Sequence, residues 1–380
     1  MKIKKLEYYD EEYHWKLSPV EFLPNLNLLV GVSGVGKTRI LSSIRSLKAI
    51  ANGKSLNGVR WNICFSGDDQ LEYHWQGQFE TKTKTVPIET DSETEDEAKI
   101  IHESLVCNDN TLVNRTSEAI IFNNNKTPKL SPDESVVNLL KQEDSIMPVK
   151  ESLDKIILVD NEINSEAIWH LPMAILKKQE QSSLLSLKES DLPIFIKLAI
   201  VYRIFPEEFE KIKKTFREIF PNVVDVKVAN LKDSDTDRMP MGLSQLLKEA
   251  TTLSIKEKGV ENWIDSISSG MFKTLMYISQ LYLSPDHSII LIDEFENSLG
   301  VNCMDSMTDL ILGNEKLQFI LTSHHPYIIN NISPAYWKIV TRQGSLVTVK
   351  NAEDFQISPA RQKAFIDLIN ILKDEETLED

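Results

Sequence analysis

Cysteine is scarce in this chain: Cys64, Cys107 and Cys303 are its only three, they stand far apart, and no C-x-x-C pair occurs. That spacing excludes a disulfide framework and a zinc site of paired cysteines, and it suits a reducing cytosol. Long apolar runs are also missing. No stretch approaches the ~18 apolar residues of a membrane span, and the basic start Met1-Lys2-Ile3-Lys4-Lys5-Leu6 has no apolar signal core behind it. A soluble, cytoplasmic protein without membrane contact is therefore expected. No internal repeat is visible, and without a sustained heptad a long coiled coil is not expected. Positive charge is in deficit, with 42 Lys and Arg against 57 Asp and Glu for a net charge of −15. Such a balance argues against a protein that coats a nucleic-acid backbone with its whole surface. One modest basic cluster, Lys211-Ile212-Lys213-Lys214 with Arg217, leaves a local nucleic-acid contact open.

What is present begins with residues 26–45. An apolar run, Leu26-Asn27-Leu28-Leu29-Val30, leads into Gly31-Val32-Ser33-Gly34-Val35-Gly36-Lys37-Thr38 and then a helix-like run opening with Arg39. The pattern G-x-x-x-x-G-K-[ST] between a strand and a helix is that of a phosphate-binding loop. Its glycines let the backbone curl so that consecutive N–H groups converge on a phosphate, and the following helix adds its positive dipole end. Gly31, Ser33, Gly34, Val35, Gly36, Lys37, Thr38 and Arg39 are thus expected to line a nucleotide such as ATP. Lys37 would neutralise β- and γ-phosphate oxygens, and the Thr38 hydroxyl would hold Mg²⁺. The bland alternative is a glycine-rich turn that binds nothing.

About 250 residues later comes Ser288-Ile289-Ile290-Leu291-Ile292-Asp293-Glu294, a buried-strand pattern that delivers two carboxylates at its end, as a Walker B strand does. Ligands of open α/β sheets sit at that carboxyl edge. Asp293 would serve the metal and Glu294 would polarise an attacking water. A second buried strand, residues 317–321, ends in Thr322-Ser323-His324-His325-Pro326, where His324 could hydrogen-bond a γ-phosphate or that water. Just before Walker B, Ile267-Ser268-Ser269-Gly270-Met271 opens another helix; small hydroxyl and glycine residues there make either a second anion site or a plain helix cap.

Taken in order, the phosphate loop, the Ser268-Ser269-Gly270 segment, Walker B, a D-loop-like Asn297-Ser298-Leu299 and His324 resemble the ABC-class ATPases. The chain is most similar to the RecF, SMC and OLD-type heads, often grouped as stand-alone AAA-family ATPases. The resemblance implies an α/β P-loop NTPase of the ABC-type head, with a mixed central sheet, an antiparallel β-subdomain and an inserted, mainly helical lid. It implies an ATPase that works as a head-to-head homodimer or higher oligomer, with Ser268, Ser269 and Gly270 contacting the γ-phosphate held by the partner copy. Two positions depart from the family pattern: Ser269 stands where Gly is usual, and Met271 where Gln is frequent. The Q-loop glutamine has no clear counterpart, Gln76, Gln78 and Asn161 being candidates, and the adenine-stacking aromatic is unassigned.

The expected division is 1–125 for the first part of the head, 126–250 for the insertion and 251–380 for the rest. Within these, residues 3–8, 13–17, 20–23, 62–66, 71–79 and 118–123 read as strands, and residues 183–203 and 206–220 as helices. The acidic run 89–97 reads as a solvated loop. Residues 233–237 look like the start of a calcium loop, but Arg238 and Ser244 occupy the positions that need Gly and Glu. About 55 residues follow His324, too few for the TOPRIM nuclease of OLD proteins, so any further catalysis is expected from a separate chain. Three roles compete: the ATPase and sensor of a prokaryotic antiviral module with a separate nuclease or toxin effector, a RecF-like DNA-repair ATPase, and a nucleotide-gated scaffold with slow turnover.

Overall fold

The computed structural model describes residues 1–82, 97–159, 169–230, 250–265, 267–297 and 299–376. All but the last residue of the acidic run 89–97, the calcium-loop-like segment 233–237, Asn161 and Ser298 lie outside the described residues. The chain divides into two compact units.

The first unit comprises Met1–Val159, His287–Phe295 and Asn314–Asp380. Its centre is a parallel set of strands in the order Ile156–Leu158, Ile289–Ile292, Gln318–Thr322, Leu26–Val30 and Trp337–Gln343. Leu26–Val30, Ile289–Ile292 and Gln318–Thr322 are buried at every position, as their nearly unbroken apolar runs require of strands covered on both faces. The sheet continues through the antiparallel strand Leu346–Asn351, which runs parallel to Trp15–Glu21, and then into an antiparallel region led by Lys2–Asp10, Val59–Ser66 and Glu72–Phe79.

Several details differ from the sequence reading. The runs 13–17 and 20–23 form one strand, Trp15–Glu21, because Pro19 falls where the register against Lys2–Asp10 shifts between Leu6 and Tyr8; a bulge tolerates a residue without an N–H. Ile100–Cys107 and Asn110–Arg115 are an additional hairpin, turned by Asn108 and Asp109 in the left-handed region, φ 43° and 67°. Their pattern was obscured by Glu103, a carboxylate at a fully buried position. Its oxygens accept from Trp75 Nε1 at 2.9 Å, Ser135 Oγ at 2.5 Å and the Val136 amide at 2.9 Å, with Arg115 at 3.6 Å. Burial pushes the Glu103 carboxyl above its ordinary value, and these donors pull it back.

Residues 126–159, placed by the sequence reading in the insertion, pack in the first unit. Val136, Val137, Ile146, Val149 and Leu153 share a core with Ile40, Ile44 and Leu47 of the helix Lys37–Ala51, and Lys48 Nζ donates to the Asp154 carbonyl at 2.6 Å. This packing anchors the helix that follows the phosphate loop.

The second unit comprises Asp160–Asp286 and Glu296–Gly313. It is helical around Ser269–Leu283, which packs against Ile194–Ile204 and Pro206–Ile219, with Thr215 Oγ1 and Tyr282 OH 2.9 Å apart. Pro193 divides the expected helix 183–203 into Leu184–Glu189 and Ile194–Ile204. A three-stranded antiparallel sheet, Trp169–His170, Ala250–Glu257 and Val223–Asn230, joins the helices. No described helix is long and apolar enough to cross a membrane.

Candidate nucleotide site

The phosphate-loop sequence sits where its pattern requires, between the buried strand Leu26–Val30 and the helix Lys37–Ala51. Its glycines have separate reasons. A Cβ on Gly31 would lie 2.4 Å from the Val340 carbonyl oxygen, so the neighbouring strand approaches too closely for any side chain. Gly36, with φ 104°, occupies backbone space that L-residues avoid and turns the chain into the helix. Lys37 is buried, and its ammonium donates to the carbonyls of Gly31 and Val32, both at 2.8 Å. Ser33, Gly34, Thr38 and Arg39 are exposed, Val35 is buried, and Gly36 is half-buried.

Two features beside the loop escaped the sequence reading. Trp15 is 2% exposed, its Nε1 has no hydrogen-bond partner among the described residues, and it lies 3.2 Å from where a Gly36 Cβ would stand. Tyr13, 64% exposed, carries the Arg39 guanidinium 5.8 Å from its ring centroid. This is an open aromatic face at the start of the loop's helix, suited to stacking a base. Trp15 opens the strand Trp15–Glu21, which pairs with the distant strand Leu346–Asn351, and Tyr13 lies in the turn just before it, so local pattern gave no sign of either.

The acidic pair lies at the end of Ile289–Ile292, one strand away from the loop strand. The intervening strand, Gln318–Thr322, supplies the link. Thr322 Oγ1 donates to Asp293 Oδ1 at 2.6 Å and accepts from the Glu294 amide at 2.7 Å, and the Phe295 amide donates to the Thr322 carbonyl at 3.0 Å. Glu294 is exposed, with φ 48°, a left-handed conformation uncommon for a non-glycine residue and worth a functional reading when fixed by such bonds. Of the two histidines that follow, His325 caps the helix Pro326–Asn331, its Nδ1 accepting from the Tyr327 amide at 3.2 Å. His324 is exposed at the strand's carboxyl edge.

In the second unit, Ser268 caps the helix Ser269–Leu283 and accepts from the Met271 amide at 3.2 Å. Ser268 and Ser269 are exposed and Gly270 half-buried. Gln76 and Gln78 lie in the strand Glu72–Phe79, six strand positions from the loop strand, so the sheet does not bring either to the loop.

Residues 179–330 match the protein family described as "AAA domain, putative AbiEii toxin, Type IV TA system". The matched span holds Ser268–Gly270, Asp293, Glu294 and His324 and begins after the phosphate loop. The loop strand, the histidine strand and the acidic strand stand side by side in one parallel sheet joined to an antiparallel region. The fold is a mixed α/β fold of the P-loop NTPase kind.

No curated protein matches the sequence. Among solved structures the chain is similar to an SMC head bound to the C-winged helix domain of ScpA, at 14% identity and TM-score 0.48 over 93% of this chain and 99% of the other. It is also similar to an SMC head with an extended coiled coil, bound to the C-terminal domain of ScpA derived from Pyrococcus furiosus, at 14% identity and TM-score 0.46 over 93% and 98%. A third is the SMC head domain from Thermotoga maritima, at 12% identity and TM-score 0.43 over 92% and 99%. Strand order and site residues, not these low similarities, identify the fold.

Proposed function

We propose that the chain binds Mg²⁺-ATP at residues 31–39 and hydrolyses it, with each active site completed by a second copy. The supporting observation is the Thr322 hydroxyl, which ties Asp293 and the Glu294 backbone together beside the phosphate-loop strand. In this reading the loop amides and Lys37 bind the triphosphate, the ammonium leaving the Gly31 and Val32 carbonyls for phosphate oxygens. Thr38 and Asp293 would hold Mg²⁺, which supplies neutralising charge to the phosphates. The donor set fits: two hard oxygen ligands are what Mg²⁺ takes from a protein when substrate phosphates complete its shell, and the described residues contain no larger acidic or histidine cluster that would suit another metal. Glu294 accepts the proton of the attacking water, and His324 hydrogen-bonds the γ-phosphate or that water. Tyr13 stacks on the base.

Ser268, Ser269 and Gly270 would meet the γ-phosphate bound by the partner copy. The cap bond is compatible with this role, because a serine hydroxyl that accepts from Met271 still has its own proton to donate.

For biological role, we favour the cytoplasmic sensor or motor of an antiviral module with a separate nuclease or toxin effector. The family description, which names a toxin of a type IV system, supports that setting. The RecF-like alternative has less support. In the basic cluster Lys211 is paired with Glu208, and Lys213 with Glu210 and Asp225, which leaves fewer cations for phosphates. Turnover by purified protein tests the reading and separates it from a slow scaffold. Glu294→Gln should retain ATP binding and lose about 10²-fold or more in hydrolysis, the usual contribution of a general base; undiminished turnover would overturn it.

A further inference from the structure

The hairpin Trp337–Gln343 and Leu346–Asn351 does more than extend the sheet. Trp337–Gln343 runs parallel to the loop strand, with Ile339 opposite Val30, so its continuation accompanies the phosphate loop upward. Val340 closes on Gly31, and a Gly36 Cβ would touch Val347 at 3.4 Å. At the height of the loop's tip the hairpin presents a cation, Arg342. Its Nε donates to the Gly344 carbonyl at 2.7 Å, which fixes the guanidinium against the hairpin's own turn, and its Nη1 reaches the Gly34 carbonyl at 3.4 Å. Gly34 has φ 86°, and a Cβ there would meet nothing within 4 Å, so no packing holds the tip on that side.

We propose that Arg342 is a positioning residue for nucleotide binding, a latch from the neighbouring hairpin that keeps the Gly34 carbonyl turned outward so that the loop's amides stay turned toward the phosphates. A loop tip with an open side and a left-handed glycine has many alternative conformations, and ordering it costs free energy at the moment of binding. A guanidinium already fixed at Nε offers its remaining donors at little further entropic cost, which a lysine cannot match with a single flexible ammonium. Lys37 and Arg342 then divide the work, Lys37 serving the phosphates from inside and Arg342 holding the loop from outside.

This inference rests on the reading of residues 31–39 as a nucleotide site. It is tested by ADP titration of the full chain and its variants, followed by isothermal calorimetry, with steady-state turnover alongside. Wild-type protein should bind ADP. Arg342→Ala should weaken that affinity by about five- to tenfold, the size expected for one exposed hydrogen bond to a charged group, and should raise KM with kcat unchanged. Arg342→Lys should recover only part of the loss. Gln343→Ala, an exposed neighbour on the same hairpin, should bind as wild type does, and the melting temperature of Arg342→Ala should stay at the wild-type value. If wild type binds ADP and Arg342→Ala binds it equally well, the latch is wrong and the nucleotide site stands. A lowered melting temperature shared with Gln343→Ala would also refute the latch, since the hairpin as a whole would then be at fault. If wild type binds neither ADP nor ATP, both proposals fall.

Discussion

Thr322→Val is the sharpest perturbation the geometry offers, because valine keeps the shape and β-branching of threonine and removes only the hydroxyl. Thr322 is 1% exposed, so packing should survive. Two bonds are lost. The one donated to Asp293 at 2.6 Å ends on a carboxylate and is worth about 1.5–3 kcal/mol, while leaving the Glu294 amide without its acceptor costs about 1–3 kcal/mol. The exposure of Glu294 gives water some access to that amide, so the lower part of the combined range applies and a stability loss of about 2.5–3.5 kcal/mol is expected. Turnover should fall as well, because the same hydroxyl holds Glu294 in its left-handed conformation. Each 1.4 kcal/mol of lost orientation is about tenfold in rate, and a kcat reduction of about 10–100-fold with little change in nucleotide affinity follows. Urea unfolding gives the first quantity and steady-state ATP hydrolysis the second, with Thr322→Ser as the variant that retains the hydroxyl. If Thr322→Val unfolds at the wild-type urea concentration and turns over ATP at the wild-type rate, the bridge between the acids has neither structural nor catalytic weight.

Two further outcomes follow from buried charges. Lys37→Ala should abolish ATP binding measured by calorimetry, since it removes the only loop cation aimed inward, and wild-type affinity would dismiss the loop assignment. Glu103→Ala should cost about 3 kcal/mol or more in chemical unfolding, because Arg115, Trp75, Ser135 and the Val136 amide would be left in the core without their acceptor; a loss under about 1 kcal/mol would mean that water replaces the carboxylate.

The parts of the site that lie within one short stretch were legible in the sequence. Glycine spacing, Lys37 and Thr38 between a strand and a helix specify the loop locally, and four apolar residues ending in Asp293-Glu294 specify the acidic strand. Residues whose role depends on neighbours across the sheet were not. Thr322 acts because its strand lies between the loop strand and the acidic strand, an order that no local pattern encodes, and the same holds for Trp15, Tyr13 and Arg342. The histidine pair shows the boundary between the two cases. Both residues were visible as candidates, yet only the cap bond from Tyr327 gives His325 a structural task and leaves His324 at the strand edge. Elsewhere, the hairpin around Asn108 and Asp109 went unread because Glu103 interrupts an otherwise alternating strand with a charge that tertiary partners satisfy.

The central claim is that ATP joins two copies of this chain, each completing the other's site. Its most direct test is the solution mass of Glu294→Gln, which should bind ATP without consuming it, measured by light scattering with and without saturating Mg²⁺-ATP. The account predicts a shift to twice the mass of the chain when ATP is present, and loss of that shift when Ser268→Arg is added. A Glu294→Gln protein that binds ATP and keeps the mass of a single chain would contradict it, and Ser268 to Gly270 would then be no more than the cap of a helix.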